Sequence, residues 1–220
     1  STFAYEYSYT KPAGSGTEAD PYLIKTESEF YYITQELDKF YRLEADLTFE
    51  NYVPICTTDY TADMLGTEEK NPTYAFKGTF DGGNHRITYT VSDEFYNRKN
   101  PGYIGLFGEI YGEAVVKDLV VEAHIGDEYT YQKGTYVGGL VGLVHGYSKG
   151  GSSGCSGSKP GTYYDALISN VTIAEGSYIK GSQYVGGIVG AKRDRMDRPF
   201  EEQAMKKVTV DTFGQSYPEP

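Results

Sequence analysis

The chain has 220 residues and a formal net charge of −11, and it is rich in glycine (27 residues) and tyrosine (23 residues). A chain of this length can bury a core as one domain without a metal or a disulfide to hold it together. No apolar run approaches the roughly 20 residues that a membrane-spanning helix needs, and the 20 lysines and arginines are dispersed. We therefore expect neither membrane insertion nor nucleic-acid binding.

One amphipathic helix is predicted near the N-terminus, over residues 27–40. Thr26 and Glu29 have the spacing of a capping box, in which each group satisfies a free backbone amide of the first turn. Three apolar residues share one face of this helix: Phe30, Ile33 and Leu37. Residues 1–15 form an N-terminal extension in this interpretation.

Alternating apolar and polar residues predict strands after this helix. The alternation runs from Tyr41 to Leu47, and it returns at residues 76–80 and 87–91. The last two runs flank the sequence Asp81-Gly-Gly-Asn84, whose glycines permit a tight change of direction. We expect two strands joined at a glycine corner there.

A glycine-rich motif recurs three times in the second half of the chain. The copies are Tyr103-Ile-Gly-Leu-Phe-Gly108, Tyr136-Val-Gly-Gly-Leu-Val-Gly142 and Tyr184-Val-Gly-Gly-Ile-Val-Gly190. In the first copy we interpret Leu106 as standing where the others have a second glycine. A recurring motif with unequal spacing indicates a repeat protein with insertions in its loops.

Each copy is followed by a strand with apolar residues at its first, fourth and sixth positions. These strands are Val116-Lys-Asp-Leu-Val-Val121, Ile168-Ser-Asn-Val-Thr-Ile173 and Met205-Lys-Lys-Val-Thr-Val210. If the repeats stack, equivalent positions form apolar ladders across the layers. The two predicted ladders are Val116–Ile168–Met205 and Leu119–Val171–Val208.

Short strands, glycine corners and stacked repeats predict an all-β fold, a parallel β-helix in one domain over residues 16–213. The helix at 27–40 would cap its open N-terminal end against edge pairing. The competing fold is an antiparallel sandwich, which needs two-residue hairpins that the sequence does not signal. The polar tail at 214–220 is too short to cap the other end, so we expect the chain to be part of a larger protein.

The longest insertion between repeat strands, residues 146–164, is rich in glycine and serine and is predicted to project from the surface. Exposed tyrosines offer a large contact area with a polar tip, which suits sugars and protein partners. Ordinary surface tyrosines are the alternative. The candidate binding residues are Tyr147, Tyr163 and Tyr164 at the ends of this insertion, and Tyr129 and Tyr131 in another loop.

These motifs resemble the GLUG repeat of large bacterial surface proteins, which also occurs in the non-catalytic part of immunoglobulin A1-cleaving metallopeptidases. The similarity extends over roughly residues 14–212 and includes Gly16-Thr-Glu-Ala-Asp-Pro-Tyr-Leu-Ile24. It implies a right-handed β-helix, in line with the handedness of parallel crossovers. It further implies a non-catalytic extracellular domain, at the bacterial cell surface or secreted, that acts as an adhesin or spacer. The expected partners are a host protein or glycan and the rest of a larger parent chain.

The sequence contains no motif for peptidase or esterase chemistry. His-Glu-x-x-His and Gly-x-Ser-x-Gly do not occur, and His85, His124 and His145 are isolated from one another. We therefore expect no metal, no cofactor and no enzymatic activity.

Two other functions remain open. Asp194 and Asp197, in a loop with four basic residues, could serve a polysaccharide-degrading β-helix enzyme, although a solvated charged loop is the simpler interpretation. The other alternative is that the chain is an accessory domain of a secreted peptidase. Cys56 and Cys155 allow one disulfide, or remain two unrelated thiols.

Overall fold

A computed structural model of the protein describes residues 6–58, 73–96, 102–126, 136–149 and 161–193. Over these residues the chain is mostly β-strand, with two short helices, which confirms the all-β expectation. The helices are α1 (Glu27–Tyr31) and α2 (Asp93–Tyr96), with a 3₁₀ turn at Tyr32–Thr34. The strands are β1 (Tyr22–Ile24), β2 (Phe40–Leu43), β3 (Leu47–Tyr52), β4 (Thr79–Asp81), β5 (Arg86–Val91), β6 (Tyr103–Ile104), β7 (Phe107–Tyr111), β8 (Val115–Ile125), β9 (Tyr136–Gly138), β10 (Val141–His145), β11 (Tyr147–Lys149), β12 (Thr162–Tyr164), β13 (Leu167–Ile173), β14 (Tyr178–Ile179), β15 (Tyr184–Gly186) and β16 (Val189–Arg193).

Nearly all of the strand pairing is parallel, and it joins successive passes of the chain. β8 is the hub of the largest sheet: its first residues pair with β4 and its later residues with β5, while β13 and β14 pair along its other edge. Two smaller sheets have the orders β6-β9-β15 and β7-β10-β16. Equivalent segments of each pass therefore lie side by side.

The predicted ladders are present wherever the structure describes their members. Val116 lies opposite Ile168, and Leu119 lies opposite Val171. Met205 and Val208, the third members, lie outside the described residues. The three tyrosines that begin the glycine motifs are also in register, with Tyr136 between Tyr103 and Tyr184.

The register corrects the interpretation of the first glycine motif. Tyr103 and Phe107 are four residues apart, but the residues they pair with, Tyr136 and Val141, are five apart. The first copy is therefore one residue shorter than the second. Leu106 is the counterpart of Leu140, a buried residue in the same bend, and does not replace a glycine.

Two corners of the large sheet use backbone conformations that most residues avoid. Asp118 bends β8 with φ 55°, and Asn170 bends β13 with φ 51°. Aspartate and asparagine tolerate this left-handed region better than other non-glycine residues. The Asn170 side-chain amide also donates a hydrogen bond to the Asp118 carboxylate at 2.7 Å. The predicted corner at Asp81-Gly-Gly-Asn84 joins β4 to β5 in the same way, with Gly83 at φ 57°.

The N-terminal helix is shorter than predicted. The capping box is present, with the Thr26 hydroxyl accepting from the Glu29 amide, but α1 ends at Tyr31 and the 3₁₀ turn ends at Thr34. The prediction of a helix over 27–40 is therefore wrong beyond residue 34. Ile33 and Thr34 are β-branched and poor helix formers, and the Thr34 hydroxyl bonds to the backbone carbonyl of Tyr31.

The alternating run from Tyr41 to Leu47 is also not one strand. β2 ends at Leu43 and β3 begins at Leu47, so the intervening residues form a corner. The Asp46 carboxylate accepts a hydrogen bond from the Arg86 amide in the next layer, which anchors this corner. The alternation of apolar and polar residues continues through this corner, so the sequence pattern does not distinguish the corner from a strand.

Phe30 of α1 closes the N-terminal end of the interior. Its ring is fully buried, and its centroid lies 5.4 Å from that of Phe49, 5.8 Å from Phe80 and 6.2 Å from Phe107. These rings belong to three different strands, β3, β4 and β7. The predicted extension also contacts this end, since the Tyr7 hydroxyl donates to the Pro54 carbonyl at 2.6 Å.

Buried tyrosines satisfy backbone carbonyls at the bends of the glycine motifs. The Tyr89 hydroxyl donates to the Gly139 carbonyl at 2.8 Å, and the Tyr52 hydroxyl donates to the Leu106 carbonyl. A buried carbonyl without a partner is destabilising by about 1–3 kcal/mol. Burial raises the pKa of both phenols well above the ordinary value of about 10.

Substitution on one ladder tests the stacking. We expect Leu119→Asp to abolish cooperative folding, because it places an unpaired charge at a buried position opposite Val171 of β13. Val171→Asp should be strongly destabilising but less so, since Val171 is only partly buried. Thr172→Asp, at an exposed position of the same strand, is the control. Urea denaturation followed by circular dichroism measures all three, and equal effects would contradict the stacking.

Alkaline pH should unfold the protein. Below pH 10 the buried tyrosines are neutral in both the native and the unfolded chain, so they add no pH dependence. Above pH 10 the unfolded chain loses protons that the native state keeps, because burial raises the pKa of Tyr31 to about 12 and raises the pKa of Tyr52 and Tyr89 well above the ordinary value. The free energy of unfolding should fall by about 1.4 kcal/mol per pH unit for each such tyrosine. Thermal melts between pH 8 and 12 measure this, and a flat profile would contradict it.

Candidate binding surface

The insertion at 146–164 begins and ends as a β-hairpin. Its arms, β11 and β12, are antiparallel, with Tyr147 opposite Tyr164 and Ser148 opposite Tyr163. Directly opposed residues of an antiparallel pair put their side chains on the same face. Tyr147 and Tyr164 therefore lie together, while Tyr163 faces the other side of the hairpin.

Tyr147 and Tyr164 belong to a stack of three aromatic rings. The centroids of Tyr147 and Tyr164 are 4.7 Å apart with an interplanar angle of 14°, and those of Tyr111 and Tyr147 are 5.2 Å apart at 5°. We call Tyr111, Tyr147 and Tyr164 the tyrosine stack. Gly112 permits it: its φ is 62°, and a Cβ there would lie 2.7 Å from a ring carbon of Tyr147.

Stacking restricts which atoms of the tyrosine rings a ligand can contact. Tyr147 is stacked on both faces, so a ligand can reach it only through its edge and hydroxyl. The pKa of Tyr147 is raised by burial and then by the nearby Glu113 carboxylate, and burial likewise raises the pKa of Tyr111. Both phenols therefore stay neutral near pH 7, able to donate and accept hydrogen bonds. The Lys77 ammonium lies 5.5 Å from the Tyr111 ring centroid and adds a positive charge at this side of the stack.

A buried carboxylate, Glu109, holds a histidine that packs against the tyrosine stack. Glu109 of β7 is 1% exposed, and its two oxygens bond to His145 Nδ1 at 2.9 Å and to the Tyr74 hydroxyl at 2.7 Å. The His145 ring in turn lies edge-on against Tyr111, with centroids 5.1 Å apart. Because a buried carboxylate is tolerated only when it is well paired, this network fixes His145 and with it the base of the stack.

A second column of rings runs along the starts of the glycine motifs. The centroids of Tyr103 and Tyr136 are 5.4 Å apart, and those of Tyr136 and Tyr184 are 4.9 Å apart and nearly parallel. These three tyrosines are in register on adjacent strands. Their regular stacking favours a role in holding the layers together.

Several candidate residues lie outside the described part of the chain. They are Tyr129, Tyr131, Asp194, Asp197 and Cys155. Cys56 is a buried free thiol rather than half of a disulfide, and burial raises its pKa, which makes it unreactive. Among the described residues no three His, Cys, Asp or Glu side chains are placed to hold a metal ion. No helix in that part of the chain is long and apolar enough to cross a membrane.

No protein-family model matches this chain, and neither does any curated protein or any solved structure.

Sequence reasoning missed Tyr111, Glu109 and His145 as parts of this surface. Tyr111 lies opposite His145 in the register of β7 and β10, so extending the motif alignment by a few residues would have brought them together. Glu109 was visible as a single charge in the otherwise uncharged strand Phe107–Tyr111. Its partner Tyr74 comes from a distant segment and had no local signal.

Removing His145 tests the buried network. His145→Ala leaves Glu109 buried with one partner lost, so we expect about 3–5 kcal/mol of destabilisation. His85→Ala is the matched control, because His85 pairs with the largely exposed Asp46, and it should change stability by less than about 1 kcal/mol. Chemical denaturation at pH 7 measures the free energy of unfolding of both variants. Similar losses of stability would show that the Glu109 network stabilises the protein no more than the exposed pair of His85 and Asp46 does.

Proposed function

We propose that this chain is a non-catalytic extracellular repeat domain with a right-handed parallel β-helix fold. In this proposal it belongs to a larger bacterial surface or secreted protein and acts as an adhesin or binding module. The tyrosine stack, built by the hairpin at 146–164, would contact a glycan or a host protein. The parallel pairing of five strands in succession is what supports the fold, since in-register passes are the defining feature of a β-helix. These strands are β1, β2, β4, β8 and β13.

The tyrosine stack is the observation that supports binding. It joins a residue of the layered body, Tyr111, to Tyr147 and Tyr164 on the two described arms of the hairpin, so both arms pack against that body. Loops on a rigid scaffold commonly carry binding functions. Partly exposed phenols and a nearby ammonium suit a hydroxyl-rich ligand, since tyrosine combines apolar area with a hydrogen-bonding tip. Affinity of a single domain would be weak, and many copies on a cell would supply avidity.

The alternatives rest on other parts of the protein. A polysaccharide-degrading enzyme would use Asp194 and Asp197, which lie outside the described residues. An accessory domain of a secreted peptidase would be distinguished by the sequences that flank this chain in its parent gene.

A glycan and host-protein binding screen tests the proposal. For a ligand found in that screen, Tyr164→Ala should weaken binding at least tenfold, because it removes the outer ring of the stack. Tyr178→Ala is the control: this tyrosine is also exposed and stacked, but on His124 in another sheet. A third variant replaces residues 150–160 with a short Gly-Ser linker and keeps both arms of the hairpin.

The binding and melting measurements distinguish a direct role of the tyrosine stack in binding from a role in folding. Loss of binding in Tyr164→Ala with an unchanged melting temperature supports the tyrosine stack as the contact. Loss only in the linker variant would place the contact at the tip of the hairpin. Full binding by both variants would overturn the proposed surface.

A further inference from the structure

Part of the N-terminal extension lies across α1 and β1 as a strap. We call residues 7–13 the N-terminal strap. Its Thr10 amide donates to the Ser28 carbonyl at 3.0 Å, and its Ala13 carbonyl accepts from the Leu23 amide at 2.8 Å. Most of its residues are exposed. The strap is therefore attached to the outside of the body and belongs to none of the strands.

Alternate side chains of the strap face aromatic rings of the body. The centroids of Tyr7 and Tyr31 are 5.2 Å apart, and those of Tyr9 and Tyr32 are 5.9 Å apart. Lys11 follows at the same spacing of two residues. In an extended segment every second side chain points to the same side. The strap therefore docks through one side of an extended chain.

The Lys11 ammonium lies in a site built from two phenols and a carboxylate. It is 5.5 Å from the ring centroid of Tyr22 and 5.8 Å from that of Tyr32, within the range of cation–π attraction. Both hydroxyls donate to Oε2 of Glu36, so the phenol oxygens keep lone pairs for an ammonium. Hydrogen bonding to the Tyr22 hydroxyl raises the pKa of Lys11, and the hydrogen bond from Tyr22 lowers the pKa of Glu36. Both groups are therefore charged near pH 7.

The body holds its side of this contact independently of the strap. The Tyr41 hydroxyl donates to the Glu36 backbone carbonyl at 2.6 Å, and the Tyr31 hydroxyl accepts from the Val53 amide at 3.1 Å. We call the four residues that face the strap the cap surface: Tyr22, Tyr31, Tyr32 and Glu36. A surface that is already organised loses little freedom when a ligand binds.

We propose that the cap surface is a docking site for an extended segment of a partner protein, and that the N-terminal strap occupies this site in the free protein. The segment that fits has tyrosine, tyrosine and lysine at alternate positions, as in Tyr7-Ser-Tyr-Thr-Lys11. The strap competes with such a segment and so inhibits its docking. The cap surface shares no residue with the tyrosine stack, so docking there does not depend on the binding function proposed above.

The connection to β1 allows the strap to leave. Gly14 and Gly16 turn the chain between the strap and β1, with φ 106° and 73°. A Cβ on Gly14 would lie 2.1 Å from the Pro21 carbonyl oxygen, so the turn requires glycine there. Because a short glycine turn joins the two segments, release of the strap changes the turn without unfolding a helix or strand.

A free peptide tests the docking site. The probe is a fluorescently labelled peptide with the sequence of residues 6–13, and the strap variant is the full chain with Tyr7→Ala and Lys11→Ala. A short tether gives an effective concentration of about 1 mM, so a strap docked about nine-tenths of the time corresponds to a Kd of about 0.1 mM for the free peptide. We expect this Kd for the strap variant by fluorescence polarisation. Binding to the unmodified protein should be about tenfold weaker, because its own strap fills the site.

A matched variant controls for the loss of a tyrosine and a lysine. Tyr178→Ala with Lys180→Ala removes another exposed tyrosine and its lysine, whose ammonium lies 5.9 Å from that ring. This control should bind the peptide no better than the unmodified protein does. If the strap variant does not melt cooperatively, Lys11→Ala alone takes its place, since Lys11 is exposed.

A second comparison tests the lysine contact. The strap variant should bind the peptide about two- to fivefold more tightly than the same peptide with alanine in place of its lysine. Adding Glu36→Gln should reduce this preference, because it removes the negative charge beside the ammonium. A preference that Glu36→Gln leaves unchanged would overturn the assignment of the lysine to this site.

The two Kd values decide between a docking site and a purely structural strap. Tighter binding to the strap variant than to the unmodified protein supports the docking site. No binding to the strap variant at about 1 mM peptide, the concentration that the tether supplies, would show that the strap packs only as part of the fold. Equal binding to both proteins would show that the strap does not occupy the site. Either result would overturn the proposal.

Discussion

Parallel backbone hydrogen bonds between successive passes of the chain set a spacing of about 4.8 Å between layers, and the other features must conform to it. Stacked rings fit naturally, as the centroid distances of 4.7 Å for Tyr147–Tyr164 and 4.9 Å for Tyr136–Tyr184 show. The glycines of the repeated motif fit for a different reason. A Cβ on Gly138 would lie 2.1 Å from the Val141 carbonyl oxygen, so the tight bend between the two short strands of the motif excludes any side chain. The buried tyrosines then satisfy the carbonyls that these bends turn inward.

The two ends of the described structure differ in how their apolar surface is covered. At the N-terminal end Phe30 enters the core and contacts rings from several strands. A buried aromatic ring of this kind contributes a large apolar area to the core at that end. At the other end the residues of β13 to β16 are at most half-buried. Each repeat of such a fold contacts only its neighbours, so a layer with one neighbour is covered less completely than a layer between two.

Much of this architecture was predictable from sequence because its signals are local and repeated. The glycine motifs and the apolar strands that follow them recur along the chain, and the structure pairs the described copies as expected. The corner at Asp81-Gly-Gly-Asn84 is signalled by its own glycines. The helix was overestimated because its apolar spacing continued into Leu37, which packs against the core from outside any helix. Tyr111 and Glu109 were missed because their partners depend on register between strands more than 30 residues apart. Leu106 was misassigned for the same reason, since only pairing reveals a one-residue deletion.

The features described above all depend on layers of the chain that stack in parallel and in register. Nuclear Overhauser contacts between backbone protons of Leu119 and Val171, and between the ring protons of Tyr136 and Tyr184, measure that stacking directly in solution. Parallel stacking predicts both sets of contacts, and it predicts that the cross-strand contacts typical of antiparallel pairs are absent between β8 and β13. Antiparallel contacts between those two strands, or Tyr136 and Tyr184 rings too far apart to give a signal, would contradict it.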